Sequence, residues 1–250
     1  MLGRTELIKC GPPGFHPAQQ EKDYVQHWIL SYLSQSGQGG IFKGGTALQK
    51  AYQLPRYSED LDFTLNNSPI PDYDAISAFL SSAGFSGITW KKDSKEISDV
   101  AKIRLNGPLY NGKEISECVV TLEFSKREKT LLLPTIITVT PPYQDLLPYS
   151  IRVMNPDEIV AEKIRAILTR NSARDLYDLY FLLHKNANIN FELVDKKLEY
   201  YNMRFQKTQF EISVQKLQKI WKTEISSLTT NMLEYQTVAK VVLAHCKDGK

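Results

Sequence analysis

Residues 42–65 read FKGGTALQKAYQLPRYSEDLDFTL, a segment with glycines and a threonine at its head and two carboxylates near its end. Read as a strand, SEDLDF sends Asp60 and Asp62 to one face and Leu61 and Phe63 to the other. Two anions held that close repel each other unless a cation sits between them. One reading is a carboxylate pair that holds Mg²⁺ through oxygen ligands. The other is a solvated strand edge. Aspartate is depleted in strands, so two on one face favour the metal.

The turn Lys43-Gly44-Gly45-Thr46 leads into a short helical pattern. Glycines let backbone N–H groups approach an anion closely, and a helix start adds a favourable dipole. A phosphate would fit there, with the Thr46 hydroxyl as a further ligand. Taken alone, such a turn is more often a plain helix start, and the Walker A spacing is absent.

More candidates lie further along. ECVVTLEFSKRE alternates as a strand, with Val119, Thr121 and Glu123 on the face opposite Val120, Leu122 and Phe124. Glu123 could join Asp60 and Asp62 around two divalent ions suited to in-line displacement on phosphorus, or be an ordinary exposed glutamate. In NPDEIVAEKIRAILTR, Asn155 reads as an N-cap, Pro156 as the first helical residue and Glu158 as the capping-box acid. Lys163 falls inside the apolar stripe of Ile159, Val160, Ile164 and Ile167, so it must snorkel to water or meet an anion such as a phosphate. Asp175 and Asp178, three apart in NSARDLYDLYFLL, are neighbours on one helix. The helix dipole and a local pairing with Arg174 explain Asp175 better than Asp178.

The elements that must position these groups follow from periodicity. Helical spacing appears over 17–35, over the segment after Gly45, and over 72–83. Period-2 stretches fill 86–140, with Asn111-Gly112 as a hairpin-turn candidate. From 155 to about 245 the pattern is helical. An α+β fold is expected, with a mixed or antiparallel sheet in a domain over 1–150 and a helical domain over 151–250. The four prolines of PPYQDLLPYSIRVMNP mark the boundary.

The bulk composition is that of an ordinary globular chain: 42% hydrophobic and 24% charged residues over 250 positions, enough to bury a substantial core. A net charge of +3 permits a nucleic-acid or nucleotide partner without arguing for one. Three scattered cysteines show no zinc spacing or disulfide framework. The first residues lack the apolar core of a secretory signal, and LLLPTIITV is too short to span a bilayer. A cytoplasmic protein is expected.

Taken in order, KGGTAL, YSEDLDF, LEFSKRE, EIVAEKIRAIL and ARDLYDLYFLL resemble the nucleotidyltransferase toxins of the AbiEii/MenT type, from about residue 20 to about 184. The resemblance implies a DNA polymerase β-like nucleotidyltransferase fold whose helical C-terminal part completes the active site. It also implies that Gly44, Gly45 and Thr46 grip an NTP, that Asp60 and Asp62 hold Mg²⁺, and that Lys163 neutralises the triphosphate. Asp178, or failing it Asp175, is the later catalytic aspartate. Glu123 and Arg127 match the sheet motif that carries the superfamily's third acid and a nucleotide contact. Family members transfer nucleotides to an acceptor, in known cases tRNA, under the control of an antitoxin protein.

Between Lys196 and Lys222 seven Lys or Arg face two acids, with Tyr200, Tyr201, Phe205, Phe210 and Trp221 interleaved. That mixture suits phosphate contacts with base stacking, or a solvated basic face over an aromatic core. The whole reading is a Mg²⁺-dependent nucleotidyltransferase toxin acting on RNA. Its alternatives are transfer to a protein or small molecule, and a catalytically silent nucleotide-binding module.

Overall fold

Seven strands form one mixed sheet whose order makes neighbours of residues far apart in the chain. A computed structural model describes residues 1–127 and 129–246. The chain divides into two compact units, Met1–Thr130 with Pro134–Val153, and Leu131–Leu133 with Met154–Lys250.

The first unit contains α1 (Arg4–Cys10), α2 (Pro17–Ser36), β1 (Ile41–Lys43), α3 (Gly44–Tyr52), β2 (Leu61–Thr64), α4 (Tyr73–Ser82), β3 (Ser86–Ser94), β4 (Ser98–Asn106), β5 (Cys118–Ser125), β6 (Thr135–Val139) and β7 (Tyr149–Val153). The strand order is β3-β4-β5-β2-β1-β7-β6. β2 runs parallel to β5 and β1 to β7, while the other pairings are antiparallel. Alternation decides which face is buried. Leu61, Phe63, Leu122 and Phe124 are all buried, and the Phe63 and Phe124 rings stack 5.2 Å apart. Against this face lies α2, which starts on Pro17 and ends at Gly37 in the left-handed conformation. Its Tyr24, Val25, Ile29 and Leu30 are fully buried.

Three local expectations are corrected. Strand β2 begins at Leu61, so Asp60 lies just before the strand and is exposed. Asn111-Gly112 does not form a tight hairpin, because the antiparallel pair β4–β5 is joined by the longer connection 107–117. Tyr149–Val153, taken as part of a proline-rich boundary, is strand β7, with Tyr149, Ile151 and Val153 buried and Ser150 and Arg152 exposed.

The second unit is helical: α5 (Pro156–Thr169), α6 (Ala173–His184), α7 (Phe191–Glu199), α8 (Lys207–Ile225) and α9 (Tyr235–His245). Asn155 caps α5 by accepting from the Asp157 N–H at 3.0 Å. Glu158 is fully buried and serves a different purpose from the expected capping box. Its carboxylate accepts from the N–H groups of Leu131 and Leu132 and pairs with buried Lys197 at 2.7 Å. The α6 start is capped from α8, where Glu224 accepts from the Ala173 N–H at 2.9 Å. No described helix is long and apolar enough to cross a membrane.

Candidate active site

The first-unit candidates gather where α3 starts beside β2. Lys43 of β1 is opposite Asp62 in the antiparallel register, and Asp62 is opposite Glu123 in the parallel one. Asp62 and Glu123 therefore share a sheet face on adjacent strands, which lie about 4.8 Å apart. Asp62 is half-buried and Glu123 exposed. The sequence left Glu123 undecided between a ligand and a bystander, and the β2–β5 pairing puts it beside Asp62.

Gly44 has a φ of +74°, and a Cβ built on it would collide with the Asp62 carboxylate. Glycine is required here by both conformation and close approach. It lets a carboxylate sit against the first residue of α3, the end where the helix dipole favours an anion. A Cβ at Gly45 would fall 2.5 Å from an Arg56 guanidinium nitrogen and 2.8 Å from Ser58 Oγ. The two glycines thus admit protein groups close to the helix start.

Thr46 is fully buried. Its hydroxyl bonds to the Asp60 carbonyl and lies 2.8 Å from Ser58 Oγ, so it holds the 58–60 segment. That segment is braced from α2 and α3 as well. The Gln26 amide donates to the carbonyls of Ser58 (3.2 Å) and Glu59 (2.7 Å). Gln49 accepts from the Ser58 N–H at 3.1 Å and donates to Asp23 at 2.9 Å. Asp23 also receives Lys50 Nζ at 2.6 Å and the Tyr143 hydroxyl at 2.8 Å. Burial opposes the charge of Asp23, yet Lys50 and His27 beside it hold its carboxyl below the usual carboxylate range. Burial, reinforced by the Lys50 charge, pushes the His27 imidazole down to about 3.

Arg56, Ser58, Gln26, Gln49 and Asp23 were not singled out in the sequence. A signal existed: Gln20, Asp23, Gln26 and His27 form a polar stripe at helical spacing, and all are buried. Arg56 is buried too, and donates to the Tyr57 carbonyl at 2.8 Å.

As a metal site, the donor chemistry fits a hard divalent cation, since Asp62 and Glu123 offer carboxylate oxygens side by side. Among the described residues no three His, Cys, Asp or Glu gather into a ready-made cluster. Two protein carboxylates suffice for Mg²⁺, which keeps waters and takes substrate phosphates as its remaining ligands. Arg127 follows β5 and is half-buried, with its N–H 3.4 Å from Ser125 Oγ.

The second-unit candidates also assemble. Lys163 Nζ lies 3.0 Å from Asp175 and 2.6 Å from Asp178, with all three side chains buried. Lys163 therefore does not snorkel, and the anions it meets are these two aspartates. Arg170 adds two bonds to Asp175, at 2.7 and 2.8 Å, so Arg170 takes the place expected of Arg174, which is exposed. Burial works against Asp175, but Lys163 and Arg170 hold its carboxyl well below the ordinary carboxylate range.

The basic segment 196–222 is corrected in part. Lys197 is buried in its pairing with Glu158, and Phe205, Phe210 and Trp221 are buried core residues. Those rings cannot stack on bases, because they already pack inside the unit. Lys216, Lys219 and Lys222 remain exposed on α8.

This arrangement can be set beside known proteins. The family described as "Nucleotidyl transferase AbiEii toxin, Type IV TA system" matches residues 28–240. MenT4, a nucleotidyltransferase toxin from Mycobacterium tuberculosis, has a similar structure with a TM-score of 0.67 at 20% identity, over 99% of this chain and 89% of that one. JHP933 from Helicobacter pylori is similar at 0.65 and 21%, over 94% and 92%. No curated protein matches in sequence. At these identities the two structures speak for the fold, while the family match spans most of the chain and carries the activity. The chain belongs to the AbiEii family of toxins and is a nucleotidyltransferase.

Proposed function

We propose that the chain moves a nucleotide from an NTP to an RNA acceptor with the help of Mg²⁺, in the cytoplasm and under the control of an antitoxin protein. The observation that carries this reading is the meeting of three features at one point: the α3 start, the Asp62 carboxylate against Gly44, and Glu123 across the β2–β5 ladder. The first suits phosphate oxygens and the other two suit a cation that phosphates share.

Asp62 and Glu123 would hold Mg²⁺, with Asp60 available from the strand entry. Once bound, the ion neutralises phosphate charge and makes an acceptor hydroxyl easier to deprotonate. Gly44, Gly45 and the α3 start would orient the triphosphate, with Thr46 acting indirectly by fixing the backbone of Asp60. The acceptor hydroxyl attacks the α-phosphorus while the bond to the bridging oxygen breaks. Pyrophosphate leaves with that electron pair, and a carboxylate of this face takes the hydroxyl proton. Arg127 would contact the nucleotide. Lys163, Asp178 and Asp175 would carry the roles the resemblance implies, the lysine on the triphosphate and an aspartate in the reaction.

The test is incubation with each of four α-labelled NTPs and total RNA, with and without added Mg²⁺. Label should enter RNA in a Mg²⁺-dependent way. Label on protein alone would replace the RNA acceptor, and no transfer with any nucleotide would refute the reading.

A further inference from the structure

The sheet face that carries Asp62 and Glu123 continues across two more strands, and the registers fix what it displays. Glu123 is opposite Val100, and Val100 is opposite Asp93. The next row comprises Thr121, Lys102 and Lys91. Because Leu61 pairs with Leu122, this row lies toward the end at which Asp60 enters β2. One row further on is Arg104, opposite Thr89. Lys91, Lys102 and Arg104 are exposed, whereas the alternate residues Ala101, Ile103 and Leu105 are fully buried.

Lys91 and Lys102 are directly opposed like charges. Such a pair destabilises a sheet by repulsion. Arg104 reaches Glu114 and Glu117 at 3.3 and 3.1 Å, but among the described residues neither lysine has an ion-pair partner. Two ammonium groups without an ion-pair partner among the described residues thus lie beside a row that carries Asp62, Glu123 and Asp93, with Lys43 at its far end. A polymer with a reacting hydroxyl at one end and phosphates behind it matches that order of charge.

We propose that the outer face of β3 and β4, centred on Lys91 and Lys102, is the docking surface for the phosphodiester backbone of the RNA acceptor. The proposal rests on the RNA reading above and gives the acceptor a place in the first unit. It also replaces the interleaved aromatic segment of the second unit, where Phe205, Phe210 and Trp221 are buried in the core.

The test measures binding of a mixed-sequence single-stranded RNA by fluorescence anisotropy across a salt series. It uses the full chain, the double variant Lys91→Gln/Lys102→Gln, the α8 triple variant Lys216→Gln/Lys219→Gln/Lys222→Gln, and Asp62→Asn. Each lost phosphate contact should flatten the slope of log K against log salt by about 0.7, so the double variant should flatten it by about 1.4. Its NTP affinity should be unchanged, and its thermal midpoint level or higher because the lysine repulsion is gone. An unchanged slope in the double variant, or a flattened slope in the α8 variant alone, overturns the proposal. Asp62→Asn should bind RNA like wild type but transfer nothing. Transfer that persists in Asp62→Asn would count against the catalytic reading and leave the surface standing. Binding too weak for any slope in wild type would overturn both.

Discussion

Lys163 Nζ lies 2.6 Å from Asp178 Oδ2 with both side chains buried, so the lysine and the aspartate depend on each other for their charge. The pair joins α5 to α6 and explains why a lysine can occupy an apolar stripe. It also changes what a substitution does. Lys163→Met keeps the stem but removes the ammonium that faces buried Asp175 and Asp178, while Arg170 still pairs with Asp175. Breaking a buried pair from one side typically costs about 3–5 kcal/mol. Denaturant unfolding should show a loss of that size, and Lys163→Met combined with Asp178→Asn should recover part of it. A Lys163→Met protein as stable as wild type would mean that the pair does not carry this charge.

Acid should weaken the first unit through His27. Its folded-state pKa of about 3 lies below the unfolded value near 6.5. The unfolded chain therefore binds a proton that the native state excludes between those values, and stability falls as pH falls through that window. The slope assigned to His27 is at most about 1.4 kcal/mol per pH unit. Asp23, held below its ordinary value, adds a further loss in stronger acid. Unfolding curves for wild type and His27→Gln between pH 7 and 4 check this: the variant should show the shallower dependence.

Gly44→Ala tests the close approach at the helix start. The substitution forces a Cβ into the Asp62 carboxylate at a positive φ. The left-handed conformation alone costs about 1–2 kcal/mol for a residue with a side chain. Stability should fall by at least that much, and transfer should fall further because Asp62 must move. A fully active alanine variant would show that the glycine is not needed for catalysis.

The brace on the 58–60 segment makes a separate prediction. Gln49→Ala leaves the half-buried Ser58 N–H without its side-chain acceptor and Asp23 without one donor, a loss of about 1–3 kcal/mol. If the brace positions Asp60 and Asp62, kcat should drop more than the affinity for NTP does. Calorimetric NTP titration beside single-turnover transfer separates the two, and an unchanged kcat with lowered stability would make the brace structural only.

These predictions also mark what the sequence made legible. The apolar alternation of Leu61, Phe63, Leu122 and Phe124 and the stripes of α2 and α5 follow from periodicity, and the structure has them. The partnership of Asp62 with Glu123 depends on a parallel pairing between strands far apart in sequence, which no local pattern encodes. The glycine pair is readable as a phosphate cradle or as a plain helix start, and a sequence does not show which protein groups press against a turn; here they are Asp62, Arg56 and Ser58. The aromatics of 200–221 are ambiguous for a related reason: their composition suits stacking on bases or an aromatic core alike, and Phe205, Phe210 and Trp221 are in the core. Strand β7 was hidden by the prolines around it despite a clean period of two.

We propose that the Asp62 carboxylate, set against the α3 start, carries nucleotidyl transfer. The most direct test is transfer of label from an α-labelled NTP by Asp62→Asn, with the fold checked by circular dichroism and thermal unfolding. The substitution removes charge and almost no volume, so the protein should remain folded. Transfer should disappear into the background at every Mg²⁺ concentration. A folded Asp62→Asn protein that labels its acceptor at the wild-type rate would contradict the account.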